Sequence, residues 1–89
     1  MIKPTKNNLA KLEKIITSQN YVIRYEKGNF NSGNCIVNDK RMIILNKFFQ
    51  TDARFLILTE IINQLDLDIS SIPEEEQQFI HQILKAAQN

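Results

Sequence analysis

Apolar residues recur along this chain first at helical spacing, then at strand spacing, then at helical spacing again. Leu9, Leu12, Ile15 and Ile16 fall three and four residues apart between Thr5 and Ser18. That spacing predicts a first helix with one apolar stripe, with Lys6, Lys11, Glu13 and Lys14 left to face water. Thr5 is placed to cap its amino end, and Asn20 to stop it in a left-handed turn. From Tyr21 to Glu26 the period changes to two, with Tyr21, Ile23 and Tyr25 on one face and Arg24 and Glu26 on the other, which predicts a strand. Lys27-Gly28-Asn29 reads as the turn that follows it. A second strand is expected from Asn34 to Asn38, after Asn31-Ser32-Gly33. The polar Asn38-Asp39-Lys40 predicts a tight hairpin into a third strand, Arg41 to Leu45. That third strand is apolar on both faces, as a central or well-covered strand is.

Helical spacing returns after Gln50. Thr51 is expected as the N-cap of a second helix reaching about Leu65, with Asp52 favourable in its first turn. Ser71-Ile72-Pro73-Glu74 has the form of a capping box with proline in the first turn, opening a third helix whose stripe is Phe79, Ile80, Ile83, Leu84 and Ala87. The expected fold is one small α+β domain over residues 1–89, in the order α-β-β-β-α-α, with an antiparallel three-stranded sheet packed against helices. The second helix is the pivot. Phe55, Leu56, Ile57, Leu58, Ile61, Ile62 and Leu65 surround more than one stripe, so it needs partners on two sides. The sheet can supply one and the third helix the other, and the apolar surface expected to remain uncovered is a candidate dimer surface.

Composition narrows the function classes. Eighty-nine residues, 43% hydrophobic and 24% charged, fit one globular domain with a modest core. The first residues are polar and basic, unlike a secretory signal, and no apolar run approaches the roughly 18 residues that span a bilayer. The one cysteine, Cys35, has no internal disulfide partner, which fits a cytoplasmic setting. Net charge is +1, yet residues 1–54 hold ten lysines and arginines against four carboxylates, and residues 55–89 one lysine against six. The plain expectation is that the two halves complement each other within the fold; a nucleic-acid face is the alternative.

The strand-end Asn46, the Arg54-Phe55 pair and Glu60 on an apolar helix together resemble the core of ImmA/IrrE-type zinc metallopeptidases. In that family an Arg-Phe pair opens the helix that carries His-Glu-x-x-His. The resemblance covers about Tyr21 to Leu65 and implies a zincin-like layout. It fails at the metal. Thr59 and Asn63 stand where the two histidines belong, and a hydroxyl and an amide are poor zinc ligands. Glu60 is a general base only toward a polarised water. No metal and no cofactor are therefore expected, and hydrolysis by zinc is read as lost.

Three residues remain candidates for an unorthodox hydrolase: Glu60, Cys35 and His81. Cys35 needs a base to form thiolate, and His81 is the sole imidazole. The plainer expectations are a small strand-core hydrophobe for Cys35, a partly exposed carboxylate for Glu60 and a boundary residue for His81. Lys40-Arg41 and Lys47-Phe48-Phe49, with Tyr21 and Tyr25, form the basic aromatic set that a nucleic-acid binder would use, although Phe48 and Phe49 are expected to pack as core or hinge. The leading expectation is a non-catalytic protein-interaction module, a homodimer joined through Phe55, Leu56, Ile57, Ile61, Leu65, Phe79 and Ile83.

Overall fold

The computed structural model describes residues 2–28, 33–37 and 40–87, and for residues 34–37, 86 and 87 the backbone only. Helix α1 spans Lys6–Ser18. Thr5 caps it as expected, its hydroxyl accepting from the Asn8 N–H at 3.1 Å. The stripe Leu9, Leu12, Ile15 and Ile16 is buried. Asn20, at φ 67°, turns the chain out of the helix in the left-handed region that asparagine tolerates better than most residues. Strand β1 follows at Tyr21–Glu26, then β2 at Gly33–Val37 and β3 at Lys40–Asn46. Gly28, at φ 146°, opens the connection from β1 with a backbone angle that side chains disfavour.

The sheet corrects the all-antiparallel expectation. Strand order is β1-β3-β2: β2 pairs with β3 antiparallel, but β1 pairs with β3 in parallel, Tyr21 opposite Arg41 through Glu26 opposite Asn46. The expectation made every pairing antiparallel, with the third strand central or well covered, and the structure places that strand in the centre. The chain reverses direction twice between β1 and β3, so those two strands run the same way. β3, the strand apolar on both faces, lies in the centre with a strand hydrogen-bonded along each edge. The connection at 38–39, where the tight hairpin was expected, lies outside the described residues, as do Asn29, Asn31 and Ser32.

Helix α2 spans Thr51–Ile61 and tightens into a 3₁₀ turn at Ile62–Gln64, close to its expected end. Its N-cap is Gln50, one residue before the expected Thr51, and Gln50 makes no side-chain capping bond. A second 3₁₀ turn, Ile69–Ser71, leads to α3 at Glu74–Ala87. Here the capping box is corrected as well. Ser71 ends the 3₁₀ turn, its hydroxyl donating to the Asp68 carbonyl, while Pro73 accepts the first helical bond from Gln77.

One core joins the helices to one face of the sheet. Leu12, Ile15 and Ile16 of α1, Leu58 of α2, Ile80 of α3 and Ile43 and Leu45 of β3 are almost fully buried in it. Leu12 has no exposed surface, and truncating it to alanine would cost about 2–5 kcal/mol through lost transfer energy and the cavity left behind. The α2–α3 connection is tied to the end of α1: the Gln19 amide accepts from the Asp68 N–H at 2.8 Å and donates to the Ser71 hydroxyl at 3.0 Å. The Tyr21 hydroxyl accepts from the Asp66 N–H at 2.8 Å. Arg41 and Asp66 join the basic and acidic halves at 3.7 Å, but both are exposed, and such a pair contributes little.

Candidate functional site

The residues singled out from the sequence do not converge. Glu60 is exposed on α2 and His81 exposed on α3. Thr59 donates its hydroxyl to the Leu56 carbonyl at 2.6 Å, and Asn63 its amide to the Thr59 carbonyl at 3.3 Å. The two positions where histidines would point at a metal thus turn their polar groups back onto their own helix. Cys35 pairs in register with Met42 rather than with the buried Ile43 or Leu45; its side chain lies outside the described residues. No group of three or more histidine, cysteine, aspartate and glutamate side chains comes together among the described residues.

The proposed interface residues separate into two groups. Phe55, Ile61, Phe79 and Ile83 are buried within the single chain, so they cannot also form a surface between folded copies. Ile57 and Leu65 are half-buried, and only Leu56, 56% exposed, projects into solvent. The interface expected on α2 and α3 is therefore largely spent inside the monomer.

Two other regions stand out. The first is the end of the sheet where β1 and β3 finish side by side and the chain turns into α2. In parallel arrangements, ligand crevices form at the carboxyl ends of strands, because loops diverge there toward helix amino ends. A turn at Lys47–Phe49 is held tightly at this end. The Asn46 side chain donates to the Gly28 carbonyl at 2.9 Å and accepts from the Phe48 N–H at 3.0 Å, and the Lys47 N–H donates to the Glu26 carbonyl at 2.8 Å. Arg54 reaches back from α2, donating Nε to the Phe49 carbonyl at 2.7 Å and Nη2 to the Lys47 carbonyl at 3.0 Å. Its guanidinium lies 4.3 Å from the centroid of the Tyr25 ring. The Tyr25 hydroxyl donates in turn to the Glu13 carboxylate. Burial, then the hydrogen bond and negative charge of Glu13, push the Tyr25 hydroxyl well above its ordinary pKa, against a smaller opposing pull from Arg54. Glu13, Tyr25 and Arg54 so link α1, β1 and α2.

That frame presents Phe48 outward, 70% exposed, contrary to the expectation of a core or hinge residue; Phe49 is half-buried. Beside it opens a shallow recess of about 700 Å³ lined by Pro4, Lys47, Phe48, Phe49, Gln50, Thr51, Asp52 and Arg54. The Lys-Phe-Phe run directly after a strand was visible in the sequence, but its apolar character read as packing.

The second region is the sheet face turned away from the core. Alternation from Ile43 and Leu45 places Met42 and Ile44 on this outer face, in register with Val22 and Arg24 of β1. Val22 is 42% exposed, while Met42 and Ile44 are half-buried. A Cβ built on Gly33, opposite Ile44, would meet open space. Arg24 and Glu26 pair across this face at 2.7 Å. No family model, curated protein or solved structure matches the chain, so the resemblance to the zinc peptidases stands on its sequence motifs alone.

Proposed function

We propose that the chain is a non-catalytic protein-interaction module that pairs with a second copy of itself through the outer face of its sheet. The observation that carries this reading is the row Val22, Met42 and Ile44, which is apolar, partly exposed and on the face opposite the core. Strands paired in parallel are ordinarily covered on both faces, and the described helices pack on the face that holds Ile43 and Leu45. The charges on the same face suit a twofold partner. Arg24 and Glu26 supply one of each sign, so a second copy turned about a twofold axis sets Arg24 against the partner's Glu26 and the reverse. The non-catalytic part of the reading is supported by Thr59 and Asn63, whose polar groups are bonded to their own helix backbone, and by the exposure of Glu60.

The face is small. Strands about 4.8 Å apart, rising about 3.3 Å per residue, make it roughly 14 by 20 Å, well short of the roughly 800 Å² per partner in a stable interface. The dimer is therefore weak, with a Kd on the order of 10 μM or above. Light scattering through a dilution series tests it. The apparent mass should fall toward that of the 10.4 kDa chain on dilution, and Ile44→Lys, which sets a cation opposite Arg24 on this face, should hold the monomer at every concentration while it stays folded by circular dichroism. A monomer mass at concentrations far above that Kd, or an Ile44→Lys variant that still dimerises, would sink the proposal.

A further inference from the structure

We infer that the recess at the carboxyl ends of β1 and β3 binds single-stranded nucleic acid, with a base stacked on Phe48 and a phosphate met by Lys47. This surface is separate from the outer sheet face and does not depend on self-association. Phe48 is the most exposed of the large apolar side chains described, yet its backbone is hydrogen-bonded. Its own N–H is bonded to Asn46, and the residues on either side are held by Arg54 through the Lys47 and Phe49 carbonyls. A ring held out on a pinned turn loses little freedom when something stacks on it, which is the property of a stacking platform.

The surroundings decide what stacks there. An apolar protein surface seated on Phe48 would bring its margins onto Lys47, Gln50, Thr51 and Asp52, all polar. A nucleotide suits them better. Lys47 is exposed and free to meet a phosphate, and Arg54 adds a second positive charge at the recess wall even while its N–H groups are engaged. Asp52 is the single carboxylate of the lining, and its side chain already accepts from the Ala53 N–H at 2.9 Å. Two cations against one carboxylate give the lining a net positive charge. The volume of about 700 Å³ falls within the range of small-ligand pockets, and its openness to solvent lets a strand pass through. Gln50 is the one amide of the lining able to read a base edge, so binding should tolerate most sequences.

The test is fluorescence anisotropy of the full chain with a labelled oligothymidylate of about 16 nucleotides, the upper end of what one small single-strand-binding domain occupies. Binding is expected at about 50 mM salt and should weaken steeply as salt rises. Phe48→Ala should weaken it on the order of tenfold, and Phe48→Trp should preserve it, because any aromatic face can stack. Lys47→Gln should flatten the dependence of log affinity on log salt by about 0.7, the change for one phosphate contact on a single strand. Phe48 is solvent-facing, so both of its variants should melt at the wild-type temperature. Absence of binding at low salt, equal affinity of Phe48→Ala, or equal affinity for a polyglutamate of the same length would overturn the inference. A change in molecular mass on Phe48→Ala would also overturn it by assigning the ring to a protein contact. Ile44→Gln, which breaks the same apolar row without adding charge, should leave oligonucleotide affinity unchanged, which separates this result from that of the sheet-face dimer.

Discussion

Arg54 is the residue on which the head of α2 depends, and Arg54→Ala is the sharpest test of that arrangement. The substitution removes two guanidinium hydrogen bonds, to the Phe49 carbonyl at 2.7 Å and the Lys47 carbonyl at 3.0 Å. It also removes the contact 4.3 Å over the Tyr25 ring. A hydrogen bond to a charged group contributes about 1.5–3 kcal/mol, and the half-buried setting of Arg54 places each at the lower end. The ring contact adds about 0.5–1 kcal/mol. Together they give a loss of about 3.5–4 kcal/mol, a large share of the roughly 5–13 kcal/mol expected for a domain of this length. Urea denaturation should show the midpoint falling with an unchanged m-value, and the melting temperature should drop by roughly 14–32 °C. Arg54→Lys separates charge from geometry. Lysine keeps the cation near Tyr25, but its single ammonium cannot serve both carbonyls as the guanidinium fork does, so about half the loss should remain. An Arg54→Ala variant within about 0.5 kcal/mol of wild type would refute the reasoning, because that is the range of an unremarkable surface change.

Tyr25 holds its proton more tightly in the folded chain than in the unfolded one, so its contribution is complete below the unfolded value of 10.0 and is lost as pH rises toward the higher folded value. Wild type should lose stability relative to Tyr25→Phe on passing from about pH 8 to about pH 11, measured as paired urea midpoints; parallel curves would show that Tyr25 is not linked to folding. Leu12→Ala should cost about 2–5 kcal/mol by the same assay, and a loss below about 1 kcal/mol would mean that the α1 stripe is not the core contact its burial implies. Protein dialysed against zinc should retain no stoichiometric metal, given the hydroxyl of Thr59 and the amide of Asn63; about one zinc per chain, lost on changing Glu60 or His81, would restore the peptidase reading.

Much of the fold was legible because it rests on local chemistry. The α1 stripe, its Thr5 cap and the left-handed Asn20 depend on residues within one or two turns of each other, and each sits where spacing placed it. The β1 alternation is read as easily, with Tyr21 buried and Arg24 turned to water. Sheet order is not local. β1 and β3 are separated by β2 in sequence, and their parallel pairing depends on which strand takes the centre, a choice made by burial of the whole sheet. The site at the head of α2 was hidden for a related reason. Phe48 and Phe49 look alike in sequence, and only the bonds from Asn46 and Arg54 decide which one is turned outward. Asn46 and Arg54 had been marked through the peptidase resemblance, but the work they do here is to shape a turn.

The same nonlocality moved the candidate interface from the helices to the sheet. The apolar belt of α2 was expected to exceed what the sheet and α3 could cover. That count left out α1, which packs against α2 as well as β1. With α1 on one side and α3 on another, Phe55, Leu58 and Ile61 are enclosed, and Leu56 remains as the one strongly exposed apolar side chain of the helix. Gathering the helices in this way has a cost elsewhere. Helices that pack against each other over one sheet face form a single layer. Apolar surface is found again on Val22, Met42 and Ile44, on the sheet face opposite the one against which the described helices pack. An apolar residue on the outer row of β3 was visible from the start in a strand apolar on both sides. Its meaning depended on knowing that the helices lie together, and that is why the sheet, rather than α2, is where a second copy should be sought.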